Sequence, residues 1–184
     1  MEHHISLPLT REKAAAITSG DIVYLSGDLY TARDAAHKRL IELLDAGSPL
    51  PFPLEDQVLY YTGPTPAAPG HIIGSVGPTT SYRMDAYTPR LLELGLRGMI
   101  GKGKRSAAVI AAMQQAGAVY FGAIGGAGAM IADCVKAAEL IAFEDLGPEA
   151  VRRLRVEDFP VVAIIDSRGN NLYISGPKAY LGSR

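Results

Sequence analysis

The sequence predicts an α/β domain: a mixed sheet with flanking helices. Three observations point there. Short apolar runs alternate with helix-period segments through the middle of the chain. One of those runs, residues 119–124, is apolar at almost every position, the pattern of a strand buried on both faces. Glycines and prolines cluster in the turns between many of these segments. The chain has 184 residues, 48% of them hydrophobic, a length at which one domain buries ~70% of its extended surface. No repeat, low-complexity tract or linker divides it, so residues 1–184 are expected to form a single domain. Eighteen basic residues against 19 acidic ones leave no basic footprint for nucleic acid or an anionic membrane. The single cysteine, Cys134, closes no internal disulfide and builds no multi-thiolate metal site by itself.

Residues 1–10 carry Glu2, His3, His4 and Pro8 and lack the basic start and apolar core of a secretory signal, so a cytoplasmic location is expected. Residues 21–29 are β-branched, aromatic and aliphatic between Gly20 and Gly27, and read as a strand. Asp34 is placed to cap the next helix, whose apolar face is Leu40, Leu43 and Leu44 and whose stop is Gly47. Residues 58–61 form a short strand. Prolines 64, 66, 69 and 78 and glycines 63, 70, 74 and 77 then shape a series of turns. Thr88-Pro89 reads as a cap followed by proline at the first helical position, and Gly95 ends that helix. Met99 and Ile100 form a very short strand, residues 106–116 a helix, and residues 119–124 the buried strand. Glycines lead into a helix over residues 130–135, followed by a strand over 140–143. Pro148 is expected to open a short helix carrying Val151 and Leu154. Residues 161–165 and 172–174 are expected to close the chain as a hairpin. The longest run without Asp, Glu, Lys or Arg, residues 106–132, has a membrane span's length, but two glutamines and five glycines interrupt it.

Chemistry concentrates in three segments where glycine or proline shapes the backbone among hydroxyls and isolated cations. In the first, Arg33 lies at a strand-to-helix junction and His37 one helical turn later on the same face. A solvated arginine and a helix-surface histidine explain that pair equally well. In the second, Gly77-Pro78 precedes Thr79, Thr80 and Ser81, whose hydroxyls and turn amides can converge on an anion, with Arg83 as a bidentate carboxylate partner. In the third, Lys102 lies between Gly101 and Gly103. Gly98, Gly103 and Lys104 almost spell a P-loop, but Arg105 stands where a metal-binding hydroxyl belongs. Glycines 122, 125, 126 and 128 bring a helix start close to a strand rather than spelling a dinucleotide loop. Cys134, among Ile131, Val135 and Ala137, reads as a packing thiol. Together these residues describe half of a site for a small dianion, without a nucleophile–base pair or a carboxylate dyad.

The segments ARDAAHKRL, YYTGPTPAAPG, IGSVGPTTSYRMDAYTP, MIGKGKR, GGAGA and VEDFPVVAIIDSRGN resemble, in order and from Ile5 to Tyr173, the β region of the iron–sulfur fumarate hydratase and tartrate dehydratase family. The resemblance implies a swivelling β/β/α domain and a hydro-lyase that interconverts fumarate and L-malate, or dehydrates tartrate to oxaloacetate. It implies a separate α subunit whose three cysteines hold a [4Fe–4S] cluster, in a hetero-oligomer of the α2β2 kind, with a homodimer as one form open to the isolated chain. It implies that Arg33, Arg83, Lys102 and Thr80 contact the dicarboxylate, and that Thr79, with Thr80 as the next candidate, is the base for the carbon-bound proton. Two other readings remain at this point: a non-catalytic module that senses a dicarboxylate or a nucleotide, and a subunit whose basic turns only dock a partner.

Overall fold

The computed structural model describes residues 1–124 and 126–182. Strands β1 (Glu2–Ser6), β2 (Ile22–Thr31), β3 (Val58–Tyr60), β4 (Gly98–Gly101), β5 (Val119–Gly122), β6 (Val135–Ala142) and β7 (Val151–Ile165) form one sheet in the order β1-β2-β3-β4-β5-β7-β6. The neighbours from β1 to β5 run parallel, whereas β7 runs antiparallel to β2, β5 and β6. Because β7 pairs with both β2 and β5, the pairings β2–β3–β4–β5–β7 close on themselves. This is the mixed sheet with flanking helices that the alternation predicts.

Alternate strand residues feed two cores, as the two-residue period of a strand requires. Val58, Tyr60, Ile100, Val119, Phe121, Leu154 and Val156 pack in one, with Ala14 from α1 (Arg11–Ala16), Ile17 just after it, and Ile131 from α5 (Gly128–Asp133). Leu59, Tyr61, Met99 and Tyr120 point the other way. There they meet Ala36 and Leu40 of α2 (Asp34–Asp45), Leu91 and Leu92 of α3 (Thr88–Glu93), and Val109 and Met113 of α4 (Ala107–Ala116).

Four expectations need correction. Val151 and Leu154 are not on a helix; a 3-10 turn over Glu144–Glu149 precedes them and both belong to β7. Their three-residue spacing imitates a helix face, but in a strand it sends them to opposite faces, and each is buried in a different core. Residues 172–174 open helix α6 (Leu172–Gly182) rather than a hairpin strand. The Asn171 carboxamide oxygen accepts the Tyr173 amide at 3.0 Å and starts that helix, and only a single bridge, Ile165 to Asn171, remains of the hairpin. Asp34 does not cap α2: Arg33 occupies the cap position, and the Ala35 amide donates instead to Glu149 at 2.8 Å. Thr88 is already helical, behind Tyr87, and its hydroxyl donates back to Met84 O at 2.8 Å. The strands β1 and the helix α1 were not expected at all.

The glycine cluster does join a strand end, Gly122, to a helix start, Gly128, although Gly125 lies outside the described residues. A Cβ on Gly128 would lie 2.4 Å from Ser75 Oγ and 2.8 Å from Gly77 N, so glycine is what lets the two turns touch. Cys134 caps the C-terminus of α5 rather than lying within it, half-buried, and burial raises its thiol pKa, consistent with a packing role. Among the described residues, no helix is long and apolar enough to cross a membrane.

Candidate functional site

The three singled-out segments meet at the carboxyl ends of the adjacent parallel strands β2, β3 and β4, where ligands of α/β sheets commonly bind. Arg33 follows the end of β2. Thr79 to Ser81 return beside the ends of β3 and β4, held by backbone bonds: Thr79 N donates to Tyr61 O at 2.6 Å, Lys102 N to Thr79 O at 3.2 Å, and Ser81 N to Lys102 O at 2.8 Å. Thr80 and Lys102 form a parallel bridge. This close approach requires Gly101, where a Cβ would lie 2.0 Å from Ser81 Oγ and 3.0 Å from the Tyr61 ring. The 3-10 turn Ser81–Met84 then carries Arg83 back toward α2.

There the two arginines share a carboxylate. Asp34 Oδ2 lies 3.1 Å from an Arg83 terminal nitrogen and 3.7 Å from Arg33 Nε. Arg33 also pairs with Glu149 at 3.1 Å. Arg33 is half-buried, and Arg83 and Lys102 are exposed. Lys102 forms no ion pair with any described residue, and the half-buried hydroxyls of Thr79 and Thr80 make no hydrogen bond to one. These neighbouring segments therefore carry two guanidinium groups, an ammonium and two hydroxyls that have no hydrogen-bond partner among the described residues. The open cleft of about 470 Å³ between Pro64, Thr65, Ile72, Leu140, Pro148 and Arg152 is lined by none of these groups.

Behind these segments lies a buried polar layer that the sequence did not disclose. Arg105 is buried between the rings of Tyr61 and Tyr120, with its guanidinium carbon 5.4 and 5.1 Å from their centroids. Its Nε donates to Asp85 at 2.7 Å and a terminal nitrogen to Thr88 Oγ1 at 2.8 Å. Burial disfavours the cation, but Tyr61 and Asp85 outweigh it, so its pKa stays above the ordinary value. The other Asp85 oxygen accepts the Ser106 amide at 2.7 Å, at the start of α4. The Tyr120 hydroxyl links Ser81 Oγ to Gly103 O, both at 2.9 Å. This layer ties the segment carrying Thr79, Thr80 and Arg83 to the loop carrying Lys102. The arginine that spoils the P-loop spelling is a buried structural cation, a role the sequence reading did not assign it.

His37 lies on the same helix face as Arg33, as its spacing predicts, but it is fully buried rather than on the surface. Its Nδ1 donates to the Arg33 carbonyl at 3.0 Å, and Nε2 is buried without a hydrogen-bond partner. Burial lowers its pKa to about 4, the Arg105 charge adds to that, and the Arg33 carbonyl opposes it. An unfolded histidine titrates at ~6.5. Between those values the unfolded chain holds the extra proton, so the contribution of His37 to stability is full above pH ~6.5 and is lost, on the order of 3 kcal/mol, as pH drops to 4. Urea titrations of the chain between pH 8 and pH 4 are expected to show this slope, and His37→Phe is expected to lessen it. An unchanged slope in the variant would assign the acid sensitivity to other groups.

Among the described residues no three His, Cys, Asp or Glu side chains are grouped to hold a metal ion. With one cysteine in the chain, the donor set does not fit ligation of an iron–sulfur cluster here.

Comparison with known proteins places these features in context. The family described as Fumarase C-terminus matches residues 2–176. The chain is 39% identical over 165 residues to fumarate hydratase 2 of Leishmania major, covering 89% of this chain and 29% of that protein. It is 41% identical over 151 residues to the anaerobic class I fumarate hydratase of Escherichia coli K12, covering 81% of this chain and 28% of that protein. A Methanocaldococcus jannaschii protein provisionally named L(+)-tartrate dehydratase subunit beta is 37% identical over 171 residues, covering 90% of this chain and 88% of its own length. The chain thus spans less than a third of the two fumarate hydratases, but nearly all of the archaeal protein.

Proposed function

We propose, because this chain belongs to the fumarase C-terminus family, that it supplies one half of a hydro-lyase active site acting on a four-carbon dicarboxylate, fumarate or tartrate. The observation that carries the reading is the convergence of Arg33 and Arg83 on Asp34, next to the exposed Lys102 and the uncommitted hydroxyls of Thr79 and Thr80. Two guanidinium groups suit the two carboxylates of such a substrate, each as a forked, charge-assisted pair. Lys102 contributes a third positive contact.

In the dehydration direction Thr79 Oγ takes the carbon-bound proton, and in hydration it returns it; Thr80 is the alternative. A threonine acts as a base only where positive charge stabilises its oxyanion, and Arg33, Arg83 and Lys102 are the cations of these segments. The proton that leaves with the hydroxyl as water comes from the companion α subunit. That subunit also holds a [4Fe–4S] cluster on three cysteines, which supplies Lewis-acid chemistry when bound. The chain acts in this reading as one swivelling β/β/α domain over residues 1–184, closing over the α subunit in an α2β2 assembly in the cytoplasm. The near-full coverage of the archaeal subunit beta supports a two-chain organisation.

The test uses the purified chain, alone and mixed with its companion α subunit under anaerobic reducing conditions. Turnover of fumarate or tartrate is expected only in the mixture. Hydration of fumarate by the chain alone would overturn the half-site assignment. Saturable malate binding by the isolated chain in calorimetry, with an inactive mixture, would favour a sensing module.

A further inference from the structure

Arg33 must meet a substrate carboxylate from a fixed position, and the structure shows what fixes it. Glu149 ends the 3-10 turn before β7 and divides its two oxygens: Oε1 lies 3.1 Å from an Arg33 terminal nitrogen, and Oε2 accepts the Ala35 amide at 2.8 Å. One oxygen anchored on a helix amide leaves the carboxylate little freedom to turn. Gly63 also lies against the guanidinium, since a Cβ there would lie 2.8 Å from Arg33 Nη1 and 3.2 Å from Pro148 O. Asp34 lies against Nε at 3.7 Å. The guanidinium is thus bounded on several sides, and 29% of the side chain remains exposed.

We propose that Glu149 is the positioning residue for Arg33, holding the guanidinium in the orientation in which it receives a substrate carboxylate. This rests on the reading of Arg33 as a carboxylate-binding residue. Charge alone makes the opposite prediction. A fixed carboxylate beside Arg33 competes with an anionic substrate, so its neutralisation would strengthen binding if Glu149 were only a counter-charge. Orientation makes the reverse prediction, because a small displacement of a binding group from its productive geometry lowers rate steeply.

The test is a double-mutant cycle in the assembled enzyme. Glu149→Gln retains an oxygen for the Ala35 amide and turns an N–H donor toward Arg33, so it breaks the ion pair while keeping the helix start. It is expected to lower kcat/KM about tenfold or more, with the thermal midpoint of the isolated chain shifted by only about a few degrees. In an Arg33→Ala background the same change is expected to alter kcat/KM less than about twofold, since nothing is left to orient. Glu149→Ala also removes the acceptor for Ala35, and is expected to lower the midpoint further without a comparable further loss of kcat/KM. An unchanged or higher kcat/KM in Glu149→Gln would overturn the proposal in favour of a counter-charge. Equal losses in both backgrounds would overturn it in favour of a purely structural role. Full activity of Arg33→Ala alone would instead overturn the reading of Arg33, and this proposal with it.

Discussion

Replacing Arg33 or Arg83 by alanine is expected to lower kcat/KM of the proposed two-subunit hydro-lyase about 10²–10³-fold, the usual effect of removing one charged donor from a preorganised site. The two losses need not be alike. Arg83 is exposed and among the described residues pairs only with Asp34, so its removal acts mainly on the proposed substrate contact. Arg33 is half-buried, and its removal also leaves Glu149 without its cation. Steady-state kinetics with gel filtration of the complex checks both: the losses should appear while assembly persists. Activity within about threefold of wild type for either variant would remove that arginine from the substrate contacts.

The second large effect concerns stability. Asp85→Asn leaves the buried Arg105 guanidinium without its carboxylate, and stranding one member of a buried ion pair costs about 3–5 kcal/mol. For a chain of 184 residues that corresponds to a drop of ~10 °C in the thermal midpoint. Combining Asp85→Asn with Arg105→Met removes the stranded charge and is expected to recover part of the loss, which differential scanning calorimetry of the isolated chain would read directly. A drop of under about 1 kcal/mol for the single variant would mean that Tyr61, Tyr120 and Thr88 suffice to hold the guanidinium. Because Asp85 also accepts the Ser106 amide, activity is expected to fall together with stability.

The alternation of strand and helix segments, the short β3 and β4 and the loop positions of Arg33, Thr79, Arg83 and Lys102 were all legible in the sequence. Their signals are local: glycine and proline set the turns, and the apolar runs between them are too short to be read two ways. The C-terminal third was harder. Val151 and Leu154 mimic a helical period because β7 contributes to two cores, and an Asn171 cap turned the expected hairpin strand into a helix. Neither cue is visible without knowing which faces are covered. Within the site, the missing residues were the supporting ones. Glu149 reaches Ala35 from 114 positions away, and Asp85 finds Arg105 from 20 away, distances over which sequence pattern carries no pairing information.

The sequence by itself determined the class of fold, the turns that carry the chemistry and the cationic, hydroxyl-rich character of those turns, since these follow from residue type and local spacing. Only the tertiary structure decided which cations share a carboxylate, that His37 and Arg105 are buried, and that Glu149 faces Arg33. The closed β2–β3–β4–β5–β7 pairing brings distant segments within hydrogen-bond reach and withdraws their charges from water. Burial and partnership are properties of that enclosure, not of any one segment.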